Sequence, residues 1–186
     1  VIGRLVPLAL LLAVAACGGA PPVPPPAPTP SGPPCPAGGV DIAAEGGEAA
    51  MGLRVLKLRM RNCGATPYPV SGYPDLELLD EDGQVLDVEV QQGSTGISRV
   101  DWFEEPPQEV TLQPGDTATS GLVWRNTYDD TTEPPQVGTR IAVAPVAGRP
   151  RLTFRPEPAG AGGTATPTTI DLGSTGVVGV RAWTTP

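Results

Sequence analysis

Proline and glycine interrupt this chain so often that no stretch keeps a helical period over three turns. Of its 186 residues, 25 are Pro and 24 are Gly. Proline removes a backbone donor and fixes φ, and glycine favours turns, so the elements between them must be short. Those elements alternate. From Leu56 onward, Leu56, Leu58 and Met60 fall on one face and Lys57, Arg59 and Arg61 on the other. A period of two with one polar face predicts a half-buried strand over 53–62. The adjacent Val55-Leu56 pair breaks the phase and predicts a bulge there.

Further strands are expected over 40–45, 76–80, 84–90, 109–112, 116–125, 140–146, 151–155, 169–172 and 177–183. Asp82-Gly83 supplies the positive φ of a tight turn, so 76–80 and 84–90 read as a hairpin. Pro114-Gly115 suits a type II turn and predicts a second hairpin, 109–112 with 116–125. Many short strands at regular spacing predict an all-β fold, an antiparallel β-sandwich over 35–186, with a partly closed barrel as the alternative. A domain of this size buries roughly two-thirds of its unfolded surface, enough for independent stability.

Charge and composition exclude more than they assign. Twelve Lys and Arg stand against 20 Asp and Glu. That field repels nucleic acid and anionic headgroups, so no nucleic-acid partner is expected. The chain has no histidine. The commonest general base, zinc ligand and pH switch are therefore missing, and Ser-His-Asp and Cys-His catalysis are impossible. The single lysine, Lys57, sits among arginines on a strand, which disfavours a Ser-Lys dyad. No phosphate-binding glycine loop occurs. No cofactor and no resident metal are expected. Asp129, Asp130 and Glu133 offer some oxygens for calcium, but a surface loop is the better reading.

The amino-terminal segment predicts export. Arg4 is a short positive region, Leu5–Val14 is apolar, and small residues precede Cys17. The apolar run is shorter than the ~20 residues that span a bilayer, and it fits a signal peptide over 1–16. Val14-Ala15-Ala16-Cys17-Gly18 resembles a bacterial lipobox, which implies diacylglyceryl on the Cys17 thiol. Two acyl chains give stable anchoring, so the membrane contact is expected in the lipid. Losing residues 1–16 removes Arg4 and leaves the mature chain one unit more acidic. A leading Val fits a GTG start in a GC-rich genome, and with the Pro, Ala and Gly bias points to an actinobacterial source. Residues 17–34 are a proline-rich tether. Without amide donors it is expected as polyproline II, ~3.1 Å per residue and roughly 50 Å long. The expected location is the outer face of the cytoplasmic membrane.

With Cys17 assigned to lipid, Cys35 and Cys63 remain as an even pair outside the cytoplasm. A disulfide is the first expectation and a free thiol the alternative. Cys35 precedes the first strand and Cys63 follows the second, and pairing is expected to need the leading segment to fold back. Outward charges suggest cross-strand ion pairs between Arg54, Lys57, Arg59 and Arg61 and the first hairpin's Glu77, Asp80, Glu81, Asp82, Asp87 and Glu89.

Two connections are long enough to carry binding. Residues 91–108 hold Trp102 and Phe103. Residues 126–139 hold Tyr128, Asp129 and Asp130. These five are the candidate binding residues, with envelope sugars or peptides as partners. The plainer reading is that Trp102 or Phe103 tucks under its loop as a satellite core.

Arg61-Asn62-Cys63-Gly64-Ala65-Thr66-Pro67-Tyr68, then Ser71-Gly72-Tyr73-Pro74, then Leu112-Gln113-Pro114-Gly115-Asp116-Thr117-Ala118 resemble the actinobacterial domain of unknown function 4232. The resemblance runs from about Cys35 to Pro186. It implies secreted or lipid-anchored proteins, an immunoglobulin-like sandwich, no assigned activity, and a bridge carried over onto Cys35 and Cys63. Gly72-Tyr73-Pro74 is expected to bend the chain before a strand, with the Tyr73 ring in the core and its hydroxyl on backbone.

The leading functional expectation is a non-catalytic binding module at the cell surface, not an enzyme. The alternatives are a structural envelope component with no specific ligand, and a carboxylate-only hydrolase. The hydrolase requires Glu104, Glu105, Asp129 and Asp130 to converge in a pocket.

Overall fold

The computed structural model describes residues 34–132, 134–157 and 168–186. The expected signal peptide, Cys17 and all of the tether before Pro34 lie outside the described residues. Twelve strands follow in chain order: β1 (Val40–Ala50), β2 (Leu53–Asn62), β3 (Tyr68–Ser71), β4 (Asp75–Leu79), β5 (Glu89–Gln92), β6 (Glu109–Leu112), β7 (Thr117–Arg125), β8 (Val137–Gly138), β9 (Arg140–Ala144), β10 (Leu152–Phe154), β11 (Ile170–Asp171) and β12 (Val177–Val180). The only helical element among the described residues is a 3-10 turn over Asp101–Phe103. No helix among them is long and apolar enough to cross a membrane.

Two sheets make the sandwich. One runs β1-β2-β7-β12-β5 and the other β10-β9-β4, while β3 with β6 and β8 with β11 form two small ribbons. With β1, β2, β4, β5, β7, β9 and β10 taken as strands A to G, these are the A-B-E-D and G-F-C sheets of an immunoglobulin constant-type fold. The difference is β12. It lies between β7 and β5, antiparallel to the first and parallel to the second.

The alternation in β2 is realised. Leu56, Leu58 and Met60 are buried, and Lys57 and Arg61 are exposed. Leu56 stands opposite Leu122, and Met60 opposite Ala118. This inner face meets Leu76 and Leu78 of β4 and Ile141 and Val143 of β9 in one core. Burying each large aliphatic side chain contributes roughly 1.5–3 kcal/mol of transfer free energy.

Two hairpins and one bulge differ from expectation. The Asp82-Gly83 turn closes, with Gly83 at φ 84° and the Asp80 amide on the Gln84 carbonyl at 2.9 Å. Its strands then separate after a single bridge between Leu79 and Val85. β4 pairs with β9 and β5 with β12, because the chain crosses from one sheet to the other. Pro114-Gly115 likewise turns a corner instead of closing a hairpin. The Asp116 amide donates to Gln113 at 2.9 Å with Gly115 at φ 93°, a type II turn, but β6 pairs with β3 and β7 with β2. The bulge lies in β1, not at Val55-Leu56. The register shifts between Ala44 and Gly47, so Glu45 and Gly46 together oppose Lys57, and Gly46 takes φ 104°.

The bridge joins Cys35 to Cys63, with Cα atoms 5.5 Å apart. No fold-back is needed. Antiparallel pairing sets Val40 opposite Asn62, so the start of β1 and the end of β2 share one end of the sheet. Beside it, buried Asn62 donates from Nδ2 to the Thr66 carbonyl at 2.9 Å and the Leu112 carbonyl at 2.8 Å. Its Oδ1 accepts the Gly64 amide at 3.0 Å. Asn62 thus ties β2 to the β3–β6 ribbon.

At the far end of the β1–β2 hairpin, Met51 and Gly52 form a two-residue turn with φ 50° and 82°. Met51 is 99% exposed and is the one non-glycine residue at positive φ among the described residues. Asparagine-glycine is the preferred pair in such a turn. Met51→Asn is therefore expected to stabilise by about 0.5–1 kcal/mol, read as a higher denaturation midpoint at unchanged slope. An unchanged or lower midpoint contradicts this account of the turn.

Candidate functional site

The outer face of the five-stranded sheet carries one of the two candidate loops, residues 91–108. Its central strands each place a glycine there, Gly121 in β7 and Gly179 in β12. A Cβ on Gly121 would sit 3.1 Å from Phe103 Cζ and 3.4 Å from the Trp102 ring. A Cβ on Gly179 would lie 2.8 Å from Val123 Cγ1 and closer still to the Gly93 carbonyl oxygen. The two glycines clear a shelf, and residues 93–105 lie on it. A glycine inside a strand often marks such a close approach, and both glycines interrupt runs of strand-forming residues in the sequence.

Glu104 holds this loop in shape. Its Oε1 accepts the Ser94 amide at 2.8 Å and the Ser94 hydroxyl at 2.7 Å. Ser94 Oγ in turn accepts the Val100 amide at 2.8 Å. The Ser94 hydroxyl, then its amide, hold the Glu104 carboxyl below its usual value near 4.5. A depressed acid stabilises the fold above its unfolded-state pKa, and that stability is lost as pH falls through the folded value. The excess stability of wild type over Glu104→Gln is therefore expected to be present at neutral pH and to fade below about pH 4.5. A pH-independent difference, measured by denaturant melts, contradicts the assignment.

Phe103 is wholly buried against Gly121, so it acts as the satellite core of the loop. Trp102, 4.4 Å from it centroid to centroid, stays at the rim. The Arg181 guanidinium lies 5.0 Å from the Trp102 ring centroid and pairs with Glu105. Trp102 and Arg181 form one wall of a cleft of about 430 Å³, and Glu45, Glu48, Lys57, Thr119 and Ser120 complete it. The ion pairs differ from expectation. Lys57 meets Glu48 at 3.6 Å and Arg59 meets Glu45 at 2.7 Å, because β2 is flanked by β1 and β7 and not by the Asp82-Gly83 turn. Glu77 and Asp75 meet Arg151 instead.

The other candidate loop goes elsewhere. Tyr128, about half exposed, donates its hydroxyl to Asp171 at 2.7 Å. That bond, with the carboxylate beside it, raises the Tyr128 pKa. The Asp129 and Asp130 amides both donate to Ser174 Oγ. Asp130 Oδ1 accepts the Thr132 hydroxyl and amide, which lower its pKa. Tyr128, Asp129 and Asp130 thus cap the 171–174 segment, while Trp102 faces a different cleft. Glu104 bonds Ser94, Glu105 pairs with Arg181 and Asp130 bonds Thr132, while the Asp129 amide is on Ser174, so the four acids belong to separate local networks. Among the described residues no group of three or more acidic or cysteine side chains could hold a metal ion.

The motif residues are structural. Gly72, at φ 114°, offers its carbonyl to the Trp183 amide. Ala118 and Leu112 are core, and the Tyr73 ring packs against it half-buried, with no hydroxyl partner among the described residues. Residues 35–184 match the family described as "Domain of unknown function (DUF4232)". The chain belongs to the DUF4232 family. No curated protein and no solved structure matches it. Within this DUF4232 domain, the residues that carry the resemblance lie at the Asn62 hub, the bridge and the sheet corners, and Trp102 is not among them.

Proposed function

We propose that the protein is a lipoprotein held by Cys17 on the outer face of the cytoplasmic membrane, and that its DUF4232 domain is a non-catalytic binding module for an envelope component. The observation that carries this reading is the cleft beside Trp102. A loop pinned by Glu104 seats a rim aromatic on a rigid sheet, next to polar and charged groups. A preformed concave surface with one aromatic and convergent polar groups is suited to recognition. No histidine is available for the usual acid–base chemistry, and Glu104, Glu105 and Asp130 are each engaged by a different residue, Ser94, Arg181 and Thr132. Sequence supplies the anchor, with the lipobox-like Val14–Gly18 and the proline-rich spacer behind it.

The test uses the full chain in cells and in solution. Cys17→Ser should move the protein from the membrane fraction to the medium. The wild-type chain should sediment with cell-wall fragments or retain an envelope protein, and Trp102→Ala should weaken that by about tenfold or more at unchanged circular dichroism. Wild-type binding by Trp102→Ala, or no saturable binding at all, counts against the module.

A further inference from the structure

We infer that the Trp102 cleft takes a neutral oligosaccharide, an inference that rests on the binding reading above and names its ligand class. The argument begins with charge. Every charged group lining the cleft already has a protein partner: Lys57 with Glu48, Glu45 with Arg59, and Arg181 with Glu105. The three pairs leave no net charge, in a chain whose formal charge is −8. An ionic ligand finds no uncompensated charge here, and each of its charges meets the like-charged member of a surface ion pair as well as its own complement.

A polyol has no such conflict. Its hydroxyls donate to the Glu45 and Glu48 carboxylates and accept from Lys57 and Arg181, since each group has lone pairs or protons beyond those its ion pair uses. The Thr119 hydroxyl adds a neutral partner at the same wall. Trp102 is partly exposed, so the part of the indole that Arg181 and Phe103 leave uncovered is the one aromatic surface of the rim open to the apolar C–H face of a sugar ring. A volume of about 430 Å³ falls within the ~300–1,000 Å³ range of small-ligand sites. The site is also held ready. Phe103 and Gly121 seat Trp102 from below, and Glu104 closes its loop, so little ordering is left for the ligand to drive.

Two built-in reporters localise binding. Trp124 and Trp183 are buried, so Trp102 is the tryptophan that a soluble quencher reaches. Lys57 is the single lysine and is about half exposed. The purified full chain is titrated with chitotetraose, maltotetraose and mannotetraose, and in parallel with a tetra-aspartate and a tetra-lysine peptide. Quenching of Trp102 and acylation of Lys57 are followed at each step. Saturable binding of a neutral sugar that protects both residues, and that Glu48→Gln and Trp102→Ala each weaken by about tenfold, is the expected result. Glu48 is largely exposed, so its variant tests the site even where Trp102→Ala perturbs the loop. A sugar that binds without protecting Trp102 and Lys57 overturns the assignment of the cleft. Protection by a charged peptide and by none of the sugars overturns the ligand class and leaves the binding module standing. Protection by none of the five, with the chain still retained on cell-wall fragments, overturns the sugar site alone, and loss of that retention as well removes both readings.

Discussion

Trp183→Ala is expected to destabilise the domain by about 4 kcal/mol, at the upper end of single-residue core truncations. Among the described residues Trp183 is the largest wholly buried side chain, and it lies just past β12, the strand added to the immunoglobulin plan. Its Nε1 donates to the Pro145 carbonyl at 2.6 Å in the interior, and its backbone amide donates to Gly72 at 3.0 Å. One residue thus connects the carboxy-terminal segment to the end of β9 and to the bend before β4. Truncation leaves a cavity and strands the Pro145 carbonyl without its donor. The two costs separate. Trp183→Phe keeps most of the volume and loses the hydrogen bond, and should cost about 1–3 kcal/mol. Denaturant melts decide the matter. A loss near 1 kcal/mol for the alanine variant would mean that the carboxy-terminal segment is an accessory and not part of the core.

How much of this was legible follows from what each signal depends on. Side-chain alternation is local, so β2 was readable to the residue, and the Leu56, Leu58 and Met60 face proved to be core. Turn chemistry is local too, and Gly83 and Gly115 adopt the positive φ expected of them. Pairing is not local. The same Asp-Gly and Pro-Gly signals serve a hairpin or a corner between sheets, and here both turns part their strands. The ion pairs failed for the same reason, since Lys57 and Arg59 meet whichever strand lies beside β2. The candidate site was half legible. A long loop with Trp102 and Phe103 stood out, but which ring faced solvent depended on Gly121, eighteen residues further along the chain. Gly121 and Gly179 were the missed clue, because a glycine among strong strand formers marks a close approach without saying what approaches.

The second large effect concerns the bridge. Replacing Cys35 and Cys63 together by serine should cost about 3.5 kcal/mol, the chain-entropy value for a loop of this length. The bridged residues are 28 apart and enclose the whole β1–β2 hairpin, so reduction frees the unfolded chain more than it disturbs the folded one. Asn62 argues for a folded-state share as well. Next to Cys63 it satisfies the carbonyls of Thr66 and Leu112 and the amide of Gly64, and losing the staple lets that end of the sheet fray. The two contributions differ in their consequences. A purely unfolded-state effect leaves amide-exchange protection at Asn62 and Gly64 in proportion to global stability, whereas local fraying lowers protection there first. The double serine variant, measured by denaturant melts and residue-level exchange, should show both the loss of midpoint and the early exchange at this edge. Retention of wild-type stability under reduction would show that the β1–β2 end is held by Asn62 and backbone pairing alone.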